Sequence, residues 1–280
     1  MSNENSQTSS IKACIVYLVD TGDRHNFRKS LQSLKLSEAL AKYPIIAFHE
    51  SDLGEEFRCE ITRDFGVIFV LIEFELPDYP EHIRSQIQND FYVDCCPYPF
   101  SLGYRHMCSF FSGPVFNMHA LDEYDYAMRL DTDSFLLEPL EDVFETMVRG
   151  KFAYGFRDIS VDHPKCYEGF YHTFVKAVEN LNFNVSLKLK DHGIVYYTNW
   201  EVYKLDIFRG EPHQSIYRSI LESGGNYIHR WGDHIFRYAF LTQFNYRVCQ
   251  FDFNYQHGDD VYSKGKFRDD IHYTPISIPA

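Results

Sequence analysis

The sequence predicts a single α/β domain over residues 11–280: a mixed, mainly parallel sheet flanked by helices. Three observations predict it. Strand-length apolar runs recur at residues 11–19, 45–48, 67–74 and 126–130. Stretches of helical length separate the first three, which is the spacing of βαβ crossovers. No internal repeat or low-complexity linker divides the chain, and 280 residues can build one sizeable core.

Taken in order, residues 1–10 are polar throughout and read as a disordered lead-in, lacking the basic start and apolar stretch of a signal peptide. Residues 11–19 are rich in β-branched and apolar side chains and break at Thr21-Gly22-Asp23. Residues 24–42 place Leu31, Leu34, Leu36 and Leu40 on an approximately helical stripe, stopped by Tyr43-Pro44. A strand at 45–48, a helical turn at 55–63 and an apolar strand at 67–74 follow. The run from Phe65 to Ile72 has the length of a buried strand, well short of the roughly 20 apolar residues of a membrane span. Residues 77–99 read as irregular loop with a short helix, and 101–121 as containing a helix packed under a strand at 126–130. Beyond these come helices at 141–147, 166–181, 211–222 and 234–244, with strands at 153–156 and 247–255. Ser223-Gly224-Gly225-Asn226 is a strong breaker between two of the helices.

Composition narrows the function. A net charge of −13, without any Lys/Arg run, argues against a nucleic-acid partner, which needs a basic face. Aromatic content is high, with 21 Tyr and 25 Phe, which suits both a large core and sugar-facing surfaces where C–H faces pack on rings. The seven cysteines form no Cys-x-x-Cys pair or zinc spacing, and their odd number leaves at least one thiol free. The expectation is a soluble, cytoplasmic chain, or a Golgi-lumenal one if it is the trimmed catalytic part of an anchored enzyme.

The most informative feature is Asp131-Thr132-Asp133, directly after the strand Tyr126-Ala127-Met128-Arg129-Leu130. Ligands of open α/β sheets sit beyond the carboxyl ends of the strands, and both carboxylates lie at such an end. If the chain turns there, both reach one divalent cation. A hard cation with spare coordination positions can then hold a diphosphate and neutralise charge on a nucleotide leaving group.

Four further segments accompany this motif: Tyr43-Pro44-Ile45-Ile46-Ala47-Phe48-His49-Glu50; Tyr104 to Gly113; Asn199-Trp200-Glu201-Val202 with Phe208-Arg209; and Arg230-Trp231-Gly232-Asp233 with Tyr255-Gln256-His257. In this order the chain resembles the fungal-type α-1,2-mannosyltransferases, the Kre2/Mnt1-like family (glycosyltransferase family 15). The resemblance implies a GT-A, Rossmann-like fold, GDP-mannose as donor, Mn²⁺ or another divalent cation as metal, a carbohydrate or glycoprotein acceptor with transfer to a glycan or glycoside hydroxyl, and retention of anomeric configuration. The chain departs from the family pattern at Asp131-Thr132-Asp133, where Glu-Pro-Asp is usual, and at Gly258-Asp259-Asp260, where a Pro-containing run is usual. The family's membrane anchor and stem have no counterpart in it.

Residue roles follow from the resemblance. Asp133 is expected as the direct metal ligand, with Asp131 on the metal, the ribose or a metal-bound water, and His257 completing the site. Imidazole with carboxylates suits Mn²⁺ better than a calcium cage does. Glu201 matches a carboxylate beside the anomeric carbon, as nucleophile or oxocarbenium stabiliser. Asp233 is expected as a catalytic residue that accepts from sugar hydroxyls, and Arg230 and Trp231 as acceptor contacts. Tyr104 matches a tyrosine near the donor diphosphate. Arg129 is expected to pair with Asp131 or the diphosphate, and Tyr17, Asp20, Thr21 and Arg24 to meet the nucleotide. Three other readings stand beside this one. A UDP-sugar donor such as UDP-glucose or UDP-galactose would keep the mechanism. An inactive carbohydrate-binding relative would have no use for both aspartates, Glu201 and His257. A metal phosphohydrolase needs a two-metal cluster that the sequence does not contain.

Overall fold

The computed structural model describes residues 11–93, 99–186, 188–189 and 193–266. The lead-in at 1–10, Cys95, Cys96 and the last residues of the expected domain lie outside the described residues. A seven-stranded sheet forms the centre: β1 (Ala13–Val19), β2 (Ile45–His49), β3 (Ile68–Leu71), β4 (Tyr126–Leu130), β5 (Tyr154–Phe156), β6 (Trp200–Lys204) and β7 (Val248–Gln250). Their spatial order is β7-β5-β6-β4-β1-β2-β3. β1 runs parallel to β2 and β4, β2 to β3, and β5 to β7, while β6 is antiparallel to both its neighbours. The expected mainly parallel sheet is present.

Period-two alternation along β1 sends side chains into two cores. Ala13, Ile15 and Tyr17 face helices α1 (Arg24–Leu34), α2 (Glu55–Phe65) and α4 (Val143–Gly150), where they meet Phe27, Leu31, Ile61 and Phe144. Cys14 and Val16 face the other layer, built from α3 (Leu102–Ser112), α5 (Phe170–Asn180), α6 (Glu211–Glu222) and α7 (Asp233–Gln243). Phe111, Phe174, Ile216 and Phe236 fill that side without exposure above a few per cent. No described helix is long and apolar enough to cross a membrane. All five described cysteines are free thiols.

The elements differ from expectation where tertiary contacts intervene. α1 stops at Leu34, eight residues early, because the chain turns so that Ser37 Oγ accepts from Leu140 N–H (2.9 Å). β3 is an edge strand and not a buried one, with Ile68 and Leu71 50% and 57% exposed. Gly169, at φ +75°, cuts the expected helix at 166–181 into a turn at Pro164–Tyr167 and α5. The expected strand at 247–255 ends at Gln250. The chain then leaves the main sheet, and Tyr255–His257 joins a separate three-stranded sheet with Ser134–Leu136 and Asp260–Tyr262. That departure positions the site.

Candidate active site

β4 ends at Leu130, so Asp131 to Asp133 leave the sheet at its carboxyl edge, beside the end of parallel β1. Asp131 N–H donates to Asn199 O (3.0 Å) and Ser134 N–H to Asp131 O (3.0 Å), which defines the turn. Ser134 then pairs with His257 in antiparallel register, and Gly258 N–H donates to Asp133 O (3.0 Å). Gly258 takes φ +55°, which lets the hairpin reverse immediately after the histidine. The outcome is His257 Nε2 at 3.2 Å from Asp133 Oδ1, both partly open to solvent. Burial alone would raise both carboxyls. It does raise Asp131, which Arg129 and His257 only partly offset. In Asp133 the hydrogen bond and charge of His257 prevail and hold the carboxyl below its usual range. His257 in turn is raised, as Asp133 and Asp131 outweigh its burial.

These residues fit a divalent cation that shares its shell with a ligand. Two adjacent ligands of an octahedral ion at about 2.1 Å stand about 3 Å apart, close to the 3.2 Å between Asp133 and His257. Tyr197 OH lies 3.4 Å from His257 Nδ1, where an outer hydrogen bond fixes ring tautomer and orientation. Asp131, expected as a further ligand, is turned to Arg129, with Nε and Nη2 both 2.9 Å from its Oδ1. Among the described residues no three or more His, Cys, Asp or Glu side chains converge to hold an ion by themselves. Phosphate oxygens and water would supply the remaining positions.

Two arginine clusters line the adjoining pocket. Arg129 is buried, with its guanidinium 3.6 Å above the Phe111 ring, and it donates to Asp233 Oδ2 (2.5 Å) as well as Asp131. Burial would raise the Asp233 carboxyl, but Arg129, His234 and Arg237 outweigh it and hold the group far below the ordinary range. Across the pocket Arg230 Nη1 donates to both oxygens of Asp162 (2.8 Å each), and Nη2 donates to Tyr104 OH (2.9 Å). Phe100 lies 4.3 Å under the guanidinium. His234 Nε2 meets Asp162 Oδ2 at 2.8 Å. Burial would raise Asp162, yet His234 and Arg230 lower it to about 2. His234 is raised, since Asp162 and Asp233 outweigh its burial and the Arg230 charge. The cavity between the clusters is about 220 Å³. That is below the roughly 300–1,000 Å³ of sites for drug-sized ligands and suits one sugar ring.

A family model described as glycolipid 2-alpha-mannosyltransferase matches residues 1–258. The chain belongs to this family. It is 27% identical over 241 residues to the glycolipid 2-alpha-mannosyltransferase of Saccharomyces cerevisiae, a match covering 79% of the chain and 54% of the relative. It is also 27% identical over 253 residues to the probable mannosyltransferase KTR4 of that yeast, with the same coverages. The chain thus spans about half the length of the curated relatives it matches. Among solved structures, core-mannan synthase A (CmsA/Ktr4) of Aspergillus fumigatus in its Mn/GDP form superposes with a TM-score of 0.80. That match has 21% identity and covers 99% of this chain and 82% of the other. Ktr4p of S. cerevisiae in complex with GDP gives 0.76 at 24% identity, over 90% and 72%. The shared fold is the GT-A-like one.

In this glycolipid 2-alpha-mannosyltransferase family member, Tyr104, Arg129, Asp131, Arg230, Asp233 and His257 line one pocket. Asp133 stands at its rim beside His257. Asp20, Thr21 and Arg24 occupy the exposed turn after β1, where Asp20 Oδ1 accepts from Gly22 N–H (2.6 Å). Thr132 Oγ1 donates to Asp23 Oδ2 (3.0 Å), which ties that turn to the acidic motif. Three expected residues are elsewhere. Tyr17 is buried below the turn, its hydroxyl 3.0 Å from Ser30 Oγ, so it cannot meet a nucleotide. Trp231 is buried in the core. Its Nε1 donates to Glu168 O (2.9 Å) and its ring packs edge-on against Phe170. Glu201 is 0% exposed and off the pocket wall. Its carboxylate accepts from Arg237 Nε (3.0 Å) and Nη2 (3.3 Å) and from Arg129 Nη1 (3.4 Å). Asp162, His234, Asn199 and Arg237 were missed. Arg237 had a legible signal, one helical turn beyond Asp233. Asp162 had none, because it follows the strand Ile159–Val161, which is too short to show a periodic pattern.

Proposed function

We propose that this chain is a metal-dependent retaining mannosyltransferase that transfers mannose from GDP-mannose to a glycan or glycoside hydroxyl, with α-1,2 linkage. The observation that carries the reading is the pairing of Asp133 and His257 at the rim of a ring-sized pocket, 3.2 Å apart and short of a full ligand set. Such a pair suits an ion completed by a nucleotide diphosphate. Asp133 and His257, with Asp131 beside them, would hold Mn²⁺, and the bound ion would neutralise charge on the diphosphate leaving group.

The chain's own residues do the rest. Tyr104 OH accepts from Arg230, which fixes the phenol on the pocket wall, where a hydroxyl can donate to a phosphate oxygen. Arg230, locked by Asp162 and stacked on Phe100, presents fixed positive charge across the cavity. Asp233 stays ionised and paired with Arg129, which makes it an acceptor for a sugar hydroxyl and too weak a base to take a proton. Glu201 acts through others as a positioning residue: it holds Arg129, and Arg129 holds Asp131 and Asp233.

A donor screen by thermal shift tests the reading. With Mn²⁺ present, GDP-mannose raises the melting temperature more than UDP-glucose or UDP-galactose, and chelation removes the effect. Stabilisation by UDP-sugars alone would transfer the site to the other donor class.

A further inference from the structure

We propose that Asn199 reads hydroxyl groups of the transferred sugar and is a specificity-determining contact of this site. The inference rests on the reading of the pocket as a sugar-nucleotide site and deepens it. Asn199 immediately precedes β6 and is 4% exposed. Its carbonyl accepts from Asp131 N–H and from Ser134 Oγ, each at 3.0 Å, which ties the residue to the acidic turn. Its side-chain amide does the opposite. Both Oδ1 and Nδ2 are buried and have no hydrogen-bond partner among the described residues, although the residue lines the pocket with Asp131, Asp233 and Arg230.

Buried polar side chains as a rule are hydrogen-bonded, so an amide unmet at both ends on a pocket wall points to a ligand. Its neighbours are already matched to one another: Asp233 by Arg129, and Asp162 and Tyr104 by Arg230. The ligand's chemistry follows from the amide, which offers one acceptor and two donors. A phosphate group only accepts and would leave Oδ1 unmet. A metal ion would take Oδ1 and leave Nδ2 unmet. Two adjacent hydroxyls of a pyranose meet both ends at once, one accepting from Nδ2 and the other donating to Oδ1. The cavity of about 220 Å³ holds one such ring.

The test uses Asn199→Ala and the near-isosteric Asn199→Leu, each measured three ways. Because the amide makes no internal bond, the unliganded Asn199→Leu protein should melt no lower than wild type. Affinity for GDP with Mn²⁺ should stay within about twofold, while kcat/KM for GDP-mannose should fall about tenfold or more in both variants. Deoxy analogues of GDP-mannose lacking either of two adjacent hydroxyls should be discriminated against by wild type but not by the variants. A lowered melting temperature, an equal loss of GDP affinity, or unchanged kcat/KM would each overturn the assignment. If wild type transfers mannose and the variants match it, only the role of Asn199 fails. If wild type binds no nucleotide sugar at all, the functional reading fails and takes the assignment with it.

Discussion

Glu201→Gln separates a structural carboxylate from a catalytic one. In the folded protein Glu201 lies on the interior strand β6 between two buried guanidiniums, with contacts of 3.0 and 3.3 Å to Arg237 and 3.4 Å to Arg129. Arg237 is walled by Phe116, Phe208 and Tyr203, and its other described hydrogen bond is to Phe111 O (3.0 Å). Glutamine keeps one acceptor but turns an NH₂ toward N–H donors and removes the charge that compensates Arg237. Removing one partner of a buried pair costs about 3–5 kcal/mol, and the retained carbonyl argues for the low end, about 3. At about 2–4 °C per kcal/mol for a domain near this size, the melting temperature should drop by about 6–12 °C. Calorimetric unfolding measures this, and released GDP measures turnover well below the new midpoint. Turnover should fall together with stability and with donor binding, because Arg129 then loosens its hold on Asp131 and Asp233. An unchanged melting temperature and GDP affinity with turnover lost about a hundredfold would refute this and return Glu201 to the anomeric carbon.

Asp133→Ala should abolish Mn²⁺-dependent GDP binding with little change in melting temperature, since its carboxylate stands at the rim; wild-type binding in calorimetry would remove it from the metal site. His257→Ala should weaken the metal less than Asp133→Ala, a neutral ligand contributing less than a charged one, and a metal titration orders the two. Trp231→Phe should lose the bond to Glu168 O and destabilise by about 1–2 kcal/mol in denaturant unfolding while acceptor KM holds. A raised KM at unchanged stability would make Trp231 an acceptor contact after all. The Asp162–His234 pair sets two pH limits. Asp162 is lowered from 3.8 to about 2, so its contribution of about 2 kcal/mol is present above pH 4 and lost as pH falls toward 2. His234 is raised, so its contribution is full below its unfolded value of about 6.5 and lost as pH rises through the folded one. The stability deficit of Asp162→Asn should therefore shrink below pH 4, and that of His234→Gln should shrink above neutrality, both read from melting temperature against pH.

Legibility in the sequence tracked how local each signal is. The strand Tyr126–Leu130 followed by two aspartates is contiguous and was readable from hydropathy alone. His257 was reachable only through resemblance, because its place beside Asp133 comes from the Ser134–His257 register, which joins residues far apart in the chain. β6 has no legible strand signal, and the burial of Glu201 was unreadable for the same reason. Both faces of β6 are buried, with Trp200 and Val202 in one core and Glu201 and Tyr203 on the other side, so no polar alternation marks it. Motif spacing aligned Glu201 and Trp231 with functional positions but carries no information on which way a side chain points. The unmet amide of Asn199 leaves no trace in the sequence, since it is visible only once its neighbours are in place.

The central claim is mannosyl transfer with retention, and the anomeric configuration of the product tests it most directly. The protein would be incubated with GDP-mannose, Mn²⁺ and a simple α-mannoside, and the product's anomeric proton and carbon read by NMR. The account predicts an α-linked mannosyl residue on the 2-hydroxyl of the acceptor, formed only with metal present. A β-linked product, transfer that persists after chelation, or transfer from UDP-sugars with none from GDP-mannose would contradict it.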